Sequence, residues 1–106
     1  MKKIVLVHSM CSRGAFAAMV AEKIQEVAIS ENYPCEVAAL SLSEIYELRK
    51  IDADIILLEP LCFHSSKKIQ EICPNTPIDI LGMKAYGLMD GKTILNFAKK
   101  KMQVIL

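Results

Sequence analysis

The sequence predicts an α/β domain built on a four-stranded parallel sheet, strand order 2-1-3-4, with helices on both faces. Three observations carry that prediction. Two apolar runs, Ile4-Val5-Leu6-Val7 and Ile55-Ile56-Leu57-Leu58, have no polar interruption, as expected of strands covered on both sides. Segments of helical period separate the strand-like runs and also follow the last of them. The resulting order, β-α-β-α-β-α-β-α, contains no repeat, low-complexity stretch or linker, and implies right-handed crossovers onto a parallel sheet. At 106 residues the chain is long enough for one core, so a single domain over 1–106 is expected.

The first strand spans about Lys3 to His8. From Ala15 to about Ser30, apolar residues at Phe16, Met19, Val20, Ile24 and Val27 recur at helical spacing, with Glu22, Lys23, Gln25 and Glu26 on the wet face. Asn32-Tyr33-Pro34 stops this first helix, because the residue before a proline avoids helical geometry. Cys35-Glu36-Val37-Ala38-Ala39-Leu40 reads as a second strand, less apolar than the first and therefore at an edge.

Ser41-Leu42-Ser43-Glu44 fits a capping box, with Ser41 as N-cap, and opens a short helix through about Arg49. The third strand, 55–58, ends at Pro60. A third helix is expected from about Leu61 to Cys73, closed by Pro74-Asn75-Thr76-Pro77, and Ile78-Asp79-Ile80-Leu81 forms the fourth strand. Gly82, Tyr86 and Gly87 fall in a loop. Asp90 then caps a last helix whose apolar side carries Ile94, Leu95, Ala98 and Met102.

Composition narrows the function classes. A net charge of +1 gives no electrostatic case for nucleic acid or anionic lipid, and 6% aromatic residues without Trp offer few stacking platforms. No apolar run is long enough to span a bilayer, and the one near the N-terminus is too short for a signal peptide, so a cytoplasmic protein is expected. Cysteines at 11, 35, 62 and 73 form no Cys-x-x-Cys and no Cys/His pairing at zinc-finger spacing. Reduced thiols with neither metal nor cofactor are the expectation.

In a 2-1-3-4 sheet, ligands bind beyond the carboxyl ends of the strands where the order reverses, beside strand one. Cys11 falls there, in the turn between the first strand and the first helix. Backbone N–H groups of a first helical turn lack intrahelical partners, and the helix dipole adds about half a positive charge, so an oxyanion is favoured and a thiol ionises more easily. Cys11 is thus the candidate nucleophile, and a phosphoryl group the candidate cargo. The turns after strand three, from Glu59 to Cys62, and after strand four, from Gly82 to Gly87, are expected to frame it.

With Cys11 in place, the sequence resembles the lactose/cellobiose-type enzyme IIB of the bacterial sugar phosphotransferase system over nearly its whole length. The resemblance rests on the apolar strand into Cys11-Ser12-x-Gly14, on Asp54-Ile55-Ile56-Leu57-Leu58-x-Pro60, on Pro77-Ile78, and on Tyr86-Gly87-x-Met89-Asp90-Gly91. It implies the fold shared by low-molecular-weight phosphatases and enzyme IIB. It also implies that Cys11 accepts a phosphoryl group from a histidine of enzyme IIA and passes it to a sugar, of cellobiose, lactose or chitobiose type, held by the membrane enzyme IIC. The protein would then associate peripherally with that permease without inserting into the membrane. The phosphate would be cradled by the backbone of Ser12, Arg13, Gly14, Ala15, Phe16, Ala17 and Ala18.

The chain departs from the family pattern in the cradle. Gly14-Ala15-Phe16-Ala17-Ala18 stands where the family usually has Gly-Met-Ser-Thr-Ser, removing three hydroxyl donors worth about 1 kcal/mol each. Glu59 stands where Gly is common, and Leu61 where Gln is common. Arg13 is either a phosphate contact or a charge facing a partner. A regulatory or binding module without efficient transfer is the alternative reading. A low-molecular-weight phosphatase or arsenate reductase is disfavoured, since its signature puts Arg six residues after the cysteine and here that residue is Ala17.

The remaining candidates have plainer readings. Cys35 and Cys73 are expected to be buried filler, and Met19 core. Cys62 is open between filler and a redox partner of Cys11. His8 is expected to be a satisfied imidazole at the strand end, and His64 a surface residue rather than an acid or base near Cys11. Lys99-Lys100-Lys101 suits a solvated last helical turn. Met10, Met83 and Met89 suit an adaptable surface around the cysteine.

Overall fold

A computed structural model describes residues 1–9 and 14–103. Four strands, β1 (Lys2–His8), β2 (Cys35–Ser41), β3 (Ile55–Leu58) and β4 (Ile78–Ile80), form one sheet in the order β2-β1-β3-β4. Every pairing is parallel, with Ile4 opposite both Val37 and Ile55, and Leu58 opposite Ile80. The predicted architecture is therefore observed.

Strand alternation divides the apolar runs between two layers. Ile4, Leu6, Ile55 and Leu57 face α1 (Gly14–Ser30) and α5 (Gly91–Met102). Val5, Val7, Ile56 and Leu58 face α2 (Leu42–Leu48), a 3₁₀ segment (Pro60–Ser65) and α3 (Ser66–Ile72). At the entry edge, Asp54 N–H donates to the Lys3 carbonyl at 2.8 Å while its carboxylate accepts from Lys3 N–H at 2.7 Å, aligning β1 with the approach to β3.

The first helix meets the sheet through smaller residues than its pattern suggested. Its buried positions are Ala17, Val20, Ala21, Ile24 and Ala28, and Met19 is 51% exposed rather than core. At 3.6 residues per turn Met19 lies about half a turn away from that alanine-rich stripe. The stripe lets α1 approach closely, and Gln25 reaches the edge strand, donating to the Cys35 carbonyl at 2.9 Å and accepting from Val37 N–H at 3.0 Å. On the other layer Ser41 and Glu44 form the expected capping box at the start of α2.

Two elements differ from expectation. The single helix expected over Leu61 to Cys73 is a 3₁₀ segment followed by α3. Pro60 sits at the start of the 3₁₀ segment, and its period of three puts Cys62 and Ser65 on one buried side before α3 continues with Ile69. The loop expected from Gly82 to Gly87 contains α4 (Met83–Gly87), whose five residues are too few to show a period.

The lysine run is also more than a solvated face. Lys99 pairs with Glu31 at 2.8 Å and lies over the Tyr33 ring at 4.5 Å, and Lys101 pairs with Asp79 at 2.9 Å. These contacts join α5 to the α1–β2 turn and to β4.

Candidate functional site

The carboxyl ends of β1, β2, β3 and β4 lie along one edge of the sheet, and the chain leaves that edge at Ser9 to return at Gly14. Met10, Cys11, Ser12 and Arg13, which include the candidate nucleophile and the one charged side chain of the expected cradle, lie outside the described residues. What surrounds the turn is described on every side.

On the β2 side, His8 closes β1 opposite Ser41 and is buried. A Cβ placed on Gly14 would come within 3.4 Å of the His8 Cε1, so the imidazole packs beneath the first residue of α1. His8 is thus the buried strand-end imidazole expected. It also adds to the Ser41 hydrogen bonds, which are the larger cause, in holding the Glu44 carboxyl below its usual range.

Of the expected cradle, Gly14, Ala15, Phe16, Ala17 and Ala18 all belong to the first turns of α1. Helical geometry commits the Ala18 amide to the carbonyl of Gly14, while Gly14, Ala15 and Phe16 precede any i→i−4 partner within the helix and keep their amides for an outside acceptor. The Ala17 side chain is fully buried, so it contributes nothing to the edge. Phe16 meets Tyr86 edge to face, ring centroids 5.2 Å apart.

On the β3 side stands a residue whose position gave no warning of its role. Glu59, the first residue after β3, is only 1% exposed. Its Oε1 accepts from the Ser9 hydroxyl at 2.9 Å and from the Ser9 N–H at 3.3 Å, and the Cys62 thiol points at the same oxygen from 3.8 Å. Its Oε2 accepts from the Tyr86 hydroxyl at 3.0 Å. Both oxygens act as acceptors, and these donors offset the desolvation of a buried polar group. The segments after β1, β3 and β4 are therefore tied together at one carboxylate. The sole sequence signal was an acidic residue between an unbroken apolar run and a proline.

The other candidates stand apart from this cluster or outside the chemistry. Cys62 is fully buried in the second core layer, as Cys73 is nearly so, while Cys35 belongs to the first layer at the opposite edge. Burial pushes the Cys35 thiol up. His64 is exposed and stacks edge-on against Phe63. The Asp90 carboxylate is engaged in capping α5, accepting from Thr93 N–H at 3.1 Å and Oγ1 at 2.7 Å, which holds it below the usual range and leaves it no part as a general acid. Met83 on α4 and Leu88 just after it, with Leu61 and Phe63 on the 3₁₀ segment, are exposed in the segments that follow β4 and β3.

Chemically, the edge offers helix-terminal amides to an anion and a turn whose first residue is pinned. Among the described residues no group of three His, Cys, Asp or Glu side chains is placed to hold a metal ion, and no helix is long and apolar enough to cross a membrane.

Comparison with known proteins gives the geometry a context. A model of the family described as the lactose/cellobiose-specific IIB subunit of the PTS system matches residues 6–97. The PTS system oligo-beta-mannoside-specific EIIB component of Bacillus subtilis (strain 168) is 32% identical over 95 residues, which span 87% of each chain. Among solved structures, the cellobiose-specific phosphotransferase IIB component of Borrelia burgdorferi is 26% identical, with a TM-score of 0.71 over 95% of this chain and 91% of its own. The lactose-specific IIB domain of Streptococcus pneumoniae superposes with a TM-score of 0.79 over 96% of this chain and 98% of its own, at 17% identity, a likeness of fold.

Proposed function

Because the chain belongs to the lactose/cellobiose-specific IIB family and is a component of a sugar phosphotransferase system, we propose that it is a phosphoryl carrier and that Cys11 is the carrying residue. The Cys11 thiolate attacks the phosphorus of a phosphohistidine on enzyme IIA. The P–N bond breaks, the imidazole leaves and takes up a proton, and an S–P bond forms. In the second step a hydroxyl of a sugar bound by enzyme IIC attacks that phosphorus. The S–P bond breaks, the hydroxyl proton passes to a base, and the thiolate is regenerated. The sugar is of the β-linked cellobiose, lactose or chitobiose kind. The protein works at the cytoplasmic face of the permease, docked to it rather than inserted.

One observation carries this reading: β1 ends at the carboxyl edge of a parallel sheet at its switch point, and α1 opens from Gly14 with amides that have no partner within the helix. Phosphoryl transfer asks for positioning and charge stabilisation more than for covalent machinery, and the amides of Gly14, Ala15 and Phe16, open at the start of α1, support that reading without the missing hydroxyls. Those same missing hydroxyls, replaced by Phe16, Ala17 and Ala18, favour the second reading, a binding or regulatory module that keeps the contacts and transfers poorly.

Intact-mass measurement decides between them. The protein is incubated with phosphoenolpyruvate, the general phosphotransferase proteins and a cognate enzyme IIA. The carrier gains one phosphoryl group that the Cys11→Ala variant does not. No gain with any enzyme IIA tried, while enzyme IIA still binds, establishes the module instead.

A further inference from the structure

We propose that Glu59 is a positioning residue for the chemistry of Cys11 and that it acts through Ser9. The proposal rests on Cys11 being the phosphoryl acceptor.

The side chain of Glu59 is aimed before it makes any contact. Its N–H donates to the Val7 carbonyl at 3.0 Å, continuing the β1–β3 ladder, and its carbonyl accepts from the Cys62 N–H at 2.9 Å. Pro60 follows and restricts it to extended backbone, φ −62° and ψ 155°. A side chain leaving that backbone reaches across the end of β1 to Ser9. There Oε1 accepts from both the hydroxyl and the N–H of Ser9, and the opposite oxygen is held by the Tyr86 hydroxyl. Tyr86 is in turn steadied by the edge contact with Phe16, within the expected cradle.

A carboxylate is a poor ligand for a phosphoryl group, since like charges repel. Its use here is behind the turn, not in front of it. Ser9 lies two residues before Cys11, so holding both its N–H and its hydroxyl anchors the backbone from which the segment bearing Cys11 departs. Releasing Ser9 spreads the turn over more conformers, and only the fraction with sulfur aligned to phosphorus reacts. An apolar residue would fill the same buried space without the desolvation cost, but it could not hold Ser9.

The test uses Glu59→Gln, Glu59→Ala and Ser9→Ala in the full chain, each studied below its melting temperature. Two rates are measured: single-turnover phosphoryl acceptance from phosphorylated enzyme IIA, and alkylation of Cys11 by iodoacetamide as a function of pH. Glutamine keeps an oxygen for Ser9 and an amide for the Tyr86 hydroxyl, so Glu59→Gln stays within about threefold of wild type in both. Alanine keeps neither. Glu59→Ala accepts phosphate about 10- to 100-fold more slowly, and its alkylation midpoint moves to higher pH as the thiolate loses its aligned amides. Ser9→Ala slows acceptance severalfold in the wild-type background and adds nothing in Glu59→Ala.

Wild-type rates in folded Glu59→Ala overturn the proposal. So does a Glu59→Gln variant as slow as Glu59→Ala, which would make the charge and not the hydrogen bonds responsible. Should Glu59→Ala fail to fold, Ser9→Ala decides alone, slowing supporting the proposal and a wild-type rate overturning it. If wild-type protein takes no phosphate at all, the carrier reading fails, and the alkylation profiles still settle whether Glu59 governs the thiol.

Discussion

The hydroxyl of Tyr86 donates to Oε2 of Glu59 at 3.0 Å, in a buried contact between residues 27 positions apart in the chain. It fastens the short α4 to the exit of β3. A net hydrogen bond contributes about 0.5 to 1.5 kcal/mol, and more where one partner is charged, and losing this one removes a buried donor from the Glu59 carboxyl. Tyr86→Phe keeps the ring that Phe16 packs against and removes only the hydroxyl. It is expected to lower stability by about 2 kcal/mol with an unchanged denaturant slope, measured by urea unfolding. A loss under about 0.5 kcal/mol shows that the contact is not significant for stability.

Gly91 opens α5 where that helix crosses α1. A Cβ there would lie 2.6 Å from the Lys23 carbonyl oxygen and 2.8 Å from its carbon, backbone atoms that cannot rotate out of the way. Gly91→Ala therefore pushes the two helices apart and is expected to cost about 2 to 3 kcal/mol. Gly87→Ala is the control, since nothing lies within 4 Å of the added methyl, and its change should stay within about 0.5 kcal/mol. Equal urea midpoints for the two variants contradict the close approach.

Those two contacts mark the boundary of what the sequence displayed. The sheet was legible because its central runs are apolar without interruption and its helices carry a period; the capping box at Ser41 and the cap at Asp90 were legible because they are local. Contacts between distant residues were not. Nothing near Glu59 in the chain indicates Tyr86 or Ser9 as its partners, so the residue registered as part of a turn framing the site and as a departure from a glycine, and not as a carboxylate that ties three segments together. Met19 was misplaced because the alanines that line the buried face of α1 weigh little in an apolar count, and α4 was missed because it is shorter than two turns. The turn expected to carry Cys11 was read from the apolar strand before it, the helical period after it and the rule that places ligands beyond the strand ends beside the switch point, and it lies outside the described residues.

The acid limb of stability should be traceable to three carboxyl groups. The side-chain bond from Lys99 holds Glu31 low, the bonds from Ser41 hold Glu44 low, and those from Thr93 hold Asp90 low. Each binds its proton more weakly when folded than when unfolded. The stability they add is present above the unfolded values and disappears as the pH falls through the folded ones. Urea midpoints should therefore be level near neutrality and decline from about pH 5 to about pH 3. Asp90→Asn, which still caps α5, should make that decline shallower while changing stability at pH 7 little. An acid limb of the same steepness in Asp90→Asn removes that group from the account.

The cysteines allow the proposed carrier to be followed without a radiolabel. Cys35, Cys62 and Cys73 are 5%, 0% and 6% exposed, so none offers access, and burial also pushes the Cys35 thiol up. Cys11 is the remaining one of the four cysteines, and at a helix-terminal turn it should ionise readily. Brief treatment with iodoacetamide near pH 7.5 is then expected to leave a single adduct at Cys11, and treatment in denaturant to leave four. A second adduct forming as fast as the first in native protein would mean that one of the buried thiols opens to solvent. Because a sulfur bonded to phosphorus is no longer a nucleophile, protein charged beforehand by enzyme IIA should resist native alkylation and yield three adducts when unfolded. Phosphorylated protein that still alkylates at Cys11 carries its phosphoryl group on another residue, and the transfer chemistry then has to be assigned elsewhere.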